Sequence, residues 1–185
     1  MPIIEVHLLE GYDDAARTRM GEALTDAVRL VVPAEPDAVT VMIHERKPTQ
    51  YMRGRRHRQG AAALPDPASV VRAYLDAMEA RDLAAAQACL ADGFTMTFPG
   101  AAPMHRLQEL IDWAKPRYRF VRKSYEGMDT CATPGPAIVY ARGTLSGEWP
   151  DGTPFEGIRF IDRFEVAGGL IVRQDVWNDI AEVRP

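Results

Sequence analysis

The hydrophobic pattern of the sequence is interrupted between residues 52 and 65, and this interruption limits the folds open to the chain. Residues 52–58 form a dense basic run, MRGRRHR, and residues 59–65 are small and unpatterned. Small residues without hydrophobic periodicity are typical of a linker. We therefore predict two domains, residues 1–58 and 66–185, joined by a linker over residues 59–65.

The first segment has the pattern strand, helix, strand. Residues 3–9 predict a strand, apolar residues at helical spacing predict an amphipathic helix over 14–31, and β-branched residues predict a second strand over 38–44. Two strands joined by a helix form a β-α-β unit, with the strands expected to be parallel. About 60 residues bury little surface, so this unit either packs on the rest of the chain or assembles as a homo-oligomer, and we expect the homo-oligomer.

Pro2 is the unusual residue of this segment. Once Met1 is removed, its nitrogen is a secondary amine, and a terminal amine has a reference pKa of about 7.7–8.0. Burial or a nearby cation would leave it neutral near pH 7 and able to take a proton next to a carbonyl group. We predict Pro2 as a catalytic base; the alternative is that a Met-Pro start has no functional meaning.

Residues 2–11, PIIEVHLLEG, the helix and residues 39–45, VTVMIHE, resemble the 4-oxalocrotonate tautomerase family over about residues 2–58. The resemblance implies a β-α-β fold, trimers or hexamers, and an N-terminal proline acting as general acid and base. The two substrate-binding arginines of that family fall on Tyr12 and Thr40, and its aromatic residue falls on Tyr51. Arg53 is either part of an anion-binding rim or part of a solvated hairpin.

The second segment predicts helices followed by strands. Three helices are expected over residues 67–80, from 83 to about 90, and over 105–114, and strands over 94–98, 117–126, 137–148, 156–166 and 170–178. Helices followed by an antiparallel sheet indicate an α+β fold. A curved sheet folded over helices makes a cone with an apolar ligand pocket.

Residues 70–78, VVRAYLDAM, and 161–166, IDRFEV, resemble the nuclear transport factor 2-like superfamily, which includes the SnoaL-like proteins and ketosteroid isomerase, over about residues 66–182. Set against ketosteroid isomerase, the resemblance implies that Tyr74 is the oxyanion-hole tyrosine. Asp162 then falls on the aspartic acid that stays protonated and donates a hydrogen bond. The general base of that enzyme falls on Phe98, which lines the expected pocket but cannot move a proton.

Alternation along the strand predicted over residues 156–166 gives an interpretation of Asp162 that does not depend on the resemblance. Its face is otherwise apolar, since it also carries Ile158, Phe160, Phe164 and Val166. A carboxyl group there is expected to be buried, and burial needs a partner. The alternative to catalysis is a structural ion pair with a basic residue, for which the candidates are Arg142 and Arg159. Tyr74 has a similar alternative, as a core aromatic residue.

Further pocket residues are predicted with less support from the pattern. Asp175, on the last strand, falls near the catalytic aspartate of the epoxide-hydrolase branch, with a structural role as the alternative. His105 opens the third helix, where entry loops to such pockets lie. Trp113 and Trp177 are expected in the pocket wall or the core.

Composition excludes several partners. A net charge of −4 gives no general attraction to nucleic acid, and no apolar run approaches the ~18 residues of a membrane span. Two cysteines, Cys89 and Cys131, and the lack of a secretory leader favour a cytoplasmic location. Four histidines without ligand spacing on any one element predict no metal site, and no motif predicts a cofactor.

These observations favour a keto–enol tautomerase that uses Pro2 on a small 2-oxo acid or enol. The cone would bind an apolar carbonyl compound. One alternative is a non-catalytic protein that binds a small molecule and oligomerises. Another is catalysis in the cone, by an isomerase, cyclase or hydratase that uses Asp162 or Asp175.

Overall fold

The computed structural model describes residues 1–183 and divides the chain into two compact units, Met1–Ala63 and Leu64 onward. Both units mix helices with strands, and the predicted α+β class is confirmed. The linker over residues 59–65 stays a prediction.

The first unit is a β-α-β unit followed by a short hairpin. Its elements are β1 (Ile3–Leu9), α1 (Asp14–Arg29), β2 (Thr40–Arg46), β3 (Met52–Arg53) and β4 (Arg56–His57). Strands β1 and β2 are parallel, as predicted, with Ile3 opposite Thr40. Helix α1 begins where the Asp13 carboxylate accepts a hydrogen bond from the Ala16 N–H at 2.8 Å. β2 starts later than predicted because Pro36–Ala38 forms a 3-10 turn.

The small sheet has one protected face and one open face. Ile4, Val6 and Leu8 of β1 are half-buried, whereas Ile3, Glu5 and His7 are exposed. Within residues 1–63 only Ala16 is buried. A unit with so little core gains little stability from apolar burial.

The second unit is a five-stranded sheet packed on helices. Its helices are α2 (Pro67–Glu79), α3 (Leu83–Ala88), α4 (Leu107–Ala114) and α5 (Ile180–Val183), and its strands are β5 (Leu90–Thr97), β6 (Phe120–Cys131), β7 (Ala137–Glu148), β8 (Pro154–Ala167) and β9 (Leu170–Asn178). The strand order is β5-β9-β8-β7-β6. Only the β5–β9 pairing is parallel among these described strands.

The boundaries of β7 and β9 are those that the sequence predicts, and the other predicted elements of this unit differ by one to five residues at one end or both. Strand β6 starts and ends later than predicted because it pairs along the whole of β7, from Phe120 opposite Glu148 to Cys131 opposite Ile138. Helix α4 starts two residues late because Met104 forms a bridge with Met96 of β5.

The core of this unit lies between the helices and one face of the sheet. Val71 and Tyr74 of α2 and Phe164 of β8 are almost completely inaccessible. The predicted apolar face of β8 is confirmed, because its four apolar members and Asp162 are all buried. Within the described residues, no helix is both long and apolar enough to cross a membrane.

Candidate active site

A cavity of about 380 Å³ opens within the second unit between α2, α4 and β6. Its walls combine aromatic rings with cationic groups. The lining residues include Tyr74, Phe98, Lys123, Tyr125 and Gln174. A mainly apolar cavity with a few converging polar groups is typical of a small-molecule site.

Four side chains form a continuous polar chain from the cavity wall into the core. The Tyr74 hydroxyl donates to Gln174 Oε1 at 3.1 Å, and Gln174 Nε2 donates to Asp162 Oδ2 at 3.3 Å. The Lys123 ammonium donates to the same Asp162 oxygen. Tyr74, Lys123 and Gln174 line the cavity, and Asp162, which is fully buried, stands behind them.

Strand alternation explains why these side chains meet. Asp162 lies opposite Val176, and Gln174 lies opposite Phe164, so both polar side chains point to the core face of β8 and β9. Lys123 belongs to β6, on the far side of β7, and its ammonium lies 4.5 Å from the centre of the Phe160 ring on the way to Asp162.

The electrostatics of the site keep its phenol groups neutral. Burial, and then the nearby Asp162 carboxylate, raise the pKa of Tyr74. Burial likewise raises the pKa of Tyr125, opposed by the Arg72 guanidinium, which stacks 3.8 Å from the centre of the Tyr125 ring. Tyr74 is therefore a neutral hydroxyl donor near pH 7. Asp162 Oδ1 has no hydrogen-bond partner among the described residues.

The sequence prediction of an arginine partner for Asp162 is wrong. Arg142 pairs with Asp129 at 3.0 Å and Arg159 with Asp179 at 2.6 Å, both on the outer face of the sheet. Lys123 takes the role instead, and sequence reasoning missed it. The signal was available, because Lys123 alternates with Val121 and Tyr125 on the inward face of β6.

The cavity contains some of the predicted pocket residues and lacks others. Phe98 lines it and packs on Trp113, with ring centroids 5.3 Å apart. Trp113 itself stands behind Phe98, and its buried Nε1 has no hydrogen-bond partner within residues 1–183. His105 is exposed before α4, where its backbone N–H donates to Glu109 at 2.8 Å, and it does not line the cavity.

Asp175 and Trp177 were predicted in the pocket, but neither lines the cavity. Asp175 points to the outer face of the sheet, where it pairs with Arg173 at 2.9 Å and Arg163 at 3.3 Å. Trp177 is 55% exposed. Both differences follow from alternation along β9, which turns Gln174 inward and its neighbour outward.

In the first unit, Pro2 sits at the entry to β1. Its carbonyl accepts a hydrogen bond from the Thr40 N–H at 3.0 Å, and the residue is half-buried. Tyr12 is half-buried and its carbonyl accepts from Arg17 at 2.7 Å, whereas Tyr51 and Arg53 are exposed. Within residues 1–63, no hydrogen bond or ring contact joins Pro2 to these three side chains.

A second cluster of chemically active side chains was missed by sequence reasoning. Glu5, His7 and His44 bring their ligand atoms within 4.8 Å of one another. Ligand spacing within a single element does not reveal it, because the cluster spans two strands. Its signal is the parallel register, which sets His7 opposite His44.

Comparison with known proteins assigns both units. Residues 2–56 match the family described as tautomerase enzyme, and residues 71–174 match the SnoaL-like domain. A probable tautomerase of Staphylococcus aureus is 41% identical over 51 residues, which are 28% of this chain and 84% of that protein. The chain therefore belongs to the tautomerase family through its first unit and to the SnoaL-like family through its second.

Solved structures resemble the second unit in fold. An NTF2-like protein of unknown function from Burkholderia pseudomallei has a TM-score of 0.54 at 19% identity and covers 62% of this chain and 91% of its own. An NTF2-like protein from Burkholderia thailandensis has a TM-score of 0.50 at 22% identity, covering 62% and 92%. These structures confirm the predicted resemblance in fold to NTF2-like proteins.

Proposed function

We propose that the chain is a keto–enol isomerase that moves a proton between carbon and oxygen of a small 2-oxo acid or enol, with the nitrogen of Pro2 as general acid and base. The observation that carries the proposal is the membership of residues 2–56 in the tautomerase family, with proline as the second residue. Removal of Met1 frees the nitrogen as an amine.

The position of Pro2 suits this role. Its nitrogen is held in the pyrrolidine ring, and the hydrogen bond from the Thr40 N–H to the Pro2 carbonyl ties the residue to β2. A base held in one place contributes roughly 10²–10⁴ in rate. The substrate carboxylate needs a cation, and we assign Arg53, with Tyr12 and Tyr51 as further substrate contacts. Homo-oligomers, through the first unit or the cone sheet, would bring the exposed Tyr51 and Arg53 and the half-buried Tyr12 to a neighbouring Pro2.

The test is the ketonisation of phenylenolpyruvate, followed by ultraviolet absorbance after intact mass has shown that Met1 is removed. We expect Pro2→Ala to lower the rate by at least about 100-fold. Pro33→Ala, at an exposed position after α1, is the matched control and should keep the full rate. Equal rates in wild type and Pro2→Ala would contradict the proposal.

A second candidate function is supported by the polar chain in the cone, which would bind or convert an apolar carbonyl compound. A carbonyl or enolate oxygen in the cavity could accept from the Lys123 ammonium, while the aromatic walls hold the rest of the molecule. Phe98 leaves the ketosteroid isomerase base position without a carboxylate. Binding with electrostatic stabilisation of an enolate therefore fits this cavity better than a steroid-type proton shift.

Calorimetry with phenylpyruvate tests the binding role. Lys123→Met should weaken binding at least about tenfold, because a charge-assisted hydrogen bond is worth about 1.5–3 kcal/mol. Lys115→Met, on an exposed lysine after α4, should bind like wild type. Turnover then separates the two units: loss in Asp162→Asn but not in Pro2→Ala would place catalysis in the cone.

A further inference from the structure

We propose that Glu5, His7 and His44 form a binding site for a divalent transition-metal cation of the Zn²⁺ class on the open face of the small sheet. The site is separate from Pro2 and from the cone cavity. It rests on residues that the proposed proton chemistry does not use.

The parallel register brings the three side chains together. His7 of β1 lies opposite His44 of β2, and their rings stack with centroids 4.8 Å apart and planes 16° from parallel. Glu5 precedes His7 by two residues and so shares its face. Its carboxylate lies 3.8 Å from His7 Nε2. Two strands thus supply three ligand atoms to one place.

The donor set selects the kind of cation. Two imidazole nitrogens and one carboxylate oxygen suit zinc, and also nickel or copper, whereas magnesium and calcium prefer oxygen ligands. A set of two histidines and one glutamate occupies three positions of a tetrahedral ion and leaves the fourth for water.

The distances fit a site that closes around the ion. Zinc–ligand bonds of about 2.0–2.1 Å place neighbouring ligand atoms of a tetrahedral site about 3.3 Å apart. The ligand atoms here lie within 4.8 Å, so each must approach the others by no more than about 1.5 Å. The Glu5 and His7 side chains are 56% and 58% exposed, and exposed side chains change rotamer freely.

A bound ion would tie β1 to β2. Because its ligands come together only in the folded unit, the ion stabilises that unit by mass action. The effect matters here, since Ala16 is the sole buried residue within residues 1–63.

The four histidines of the chain supply the test and its controls. Zinc chloride is titrated into the full chain by calorimetry, and thermal unfolding is followed with and without zinc. Cys89 and Cys131 are first replaced by serine, because thiolates bind zinc. We expect one equivalent of zinc per chain and a higher melting temperature. His7→Ala and His44→Ala should each weaken binding at least about tenfold, since loss of even an outer-shell partner costs about 10–100-fold.

His57→Ala and His105→Ala are the matched controls and should bind zinc like the parent protein. Glu5→Gln replaces the anionic ligand at nearly constant shape and should weaken binding even if an alanine variant fails to fold. The proposal is overturned if the parent protein binds no zinc, if a control variant loses affinity as His7→Ala does, or if Glu5→Gln keeps full affinity.

Discussion

Lys123→Met should destabilise the second unit by about 3 kcal/mol. Breaking a buried ion pair from one side typically costs about 3–5 kcal/mol, because the remaining charge stays buried without compensation. Asp162 is fully buried and Lys123 is 20% exposed, so water from the cavity can partly replace the ammonium. The low end of the range therefore applies. Among residues 1–183, Gln174 then remains as the one donor to the carboxylate, at 3.3 Å.

Urea unfolding followed by tryptophan fluorescence measures this loss selectively. All three tryptophans, Trp113, Trp149 and Trp177, lie in the second unit. With an m value of about 1.5 kcal/mol/M, the expected loss lowers the midpoint by about 2 M urea. Lys115→Met should stay within about 0.5 kcal/mol of wild type, because its ammonium is exposed.

The double variant Lys123→Met/Asp162→Asn tests whether the uncompensated charge of Asp162 causes the loss of stability. Asparagine removes the uncompensated charge and can still accept from Gln174, so the double variant should be more stable than Lys123→Met alone. A midpoint shift below about 0.5 M for Lys123→Met, or no recovery in the double variant, would refute the reasoning.

Three further predictions concern other parts of the chain. Burial raises the pKa of Tyr74, so the unfolded chain loses the phenol proton at a lower pH than the folded protein does. Stability should therefore fall as the pH rises above about 10. Urea midpoints measured against pH, with Tyr74→Phe for comparison, test this fall in stability. Cys131 is exposed and burial raises the pKa of the Cys89 thiol, so mass spectrometry should find iodoacetamide first on Cys131. A Cβ on Gly143 would lie 2.0 Å from a backbone carbonyl oxygen of β6, so Gly143→Ala should lower the melting temperature. Gly21 lies on α1 with open space around it, and alanine is a better helix former than glycine, so Gly21→Ala should raise the melting temperature.

Sequence patterns predicted those strands whose bounds are marked by residues within the strand or in the turn beside it. Strand β7 alternates clearly and is followed by a turn that contains Gly152, and β9 begins directly after Gly168 and Gly169, so the boundaries of both strands were obtained to the residue. The burial of Asp162 followed in the same way, because its face is defined by neighbours two residues apart along one strand.

The pairing of side chains across strands could not be obtained from such patterns. Lys123 and Asp162 belong to strands separated by β7, and the β7 residue opposite Asp162 is Ala141, whose small side chain leaves room on the core face. His7 and His44 likewise meet only through the register of β1 on β2. Alternation within β6 can place Lys123 on the inward face, but register depends on the packed sheet, so no pattern within one element identifies the partner of Lys123 or of His7.

Strand β9 follows the other strands in sequence, so its pairing with β5 can form only late in synthesis. Its parallel pairing with β5 joins Thr97 to Asp175, so β5 has no partner in the sheet until nearly the whole second unit has left the ribosome. At about 5–20 residues per second, the intervening stretch takes several seconds to synthesise. Strand β5, which carries the apolar Phe94 and Met96, lacks its sheet partner during that interval, whereas β1 and β2 are close in sequence and can pair early. Nascent chains stalled before β9 should therefore be the species most in need of a chaperone.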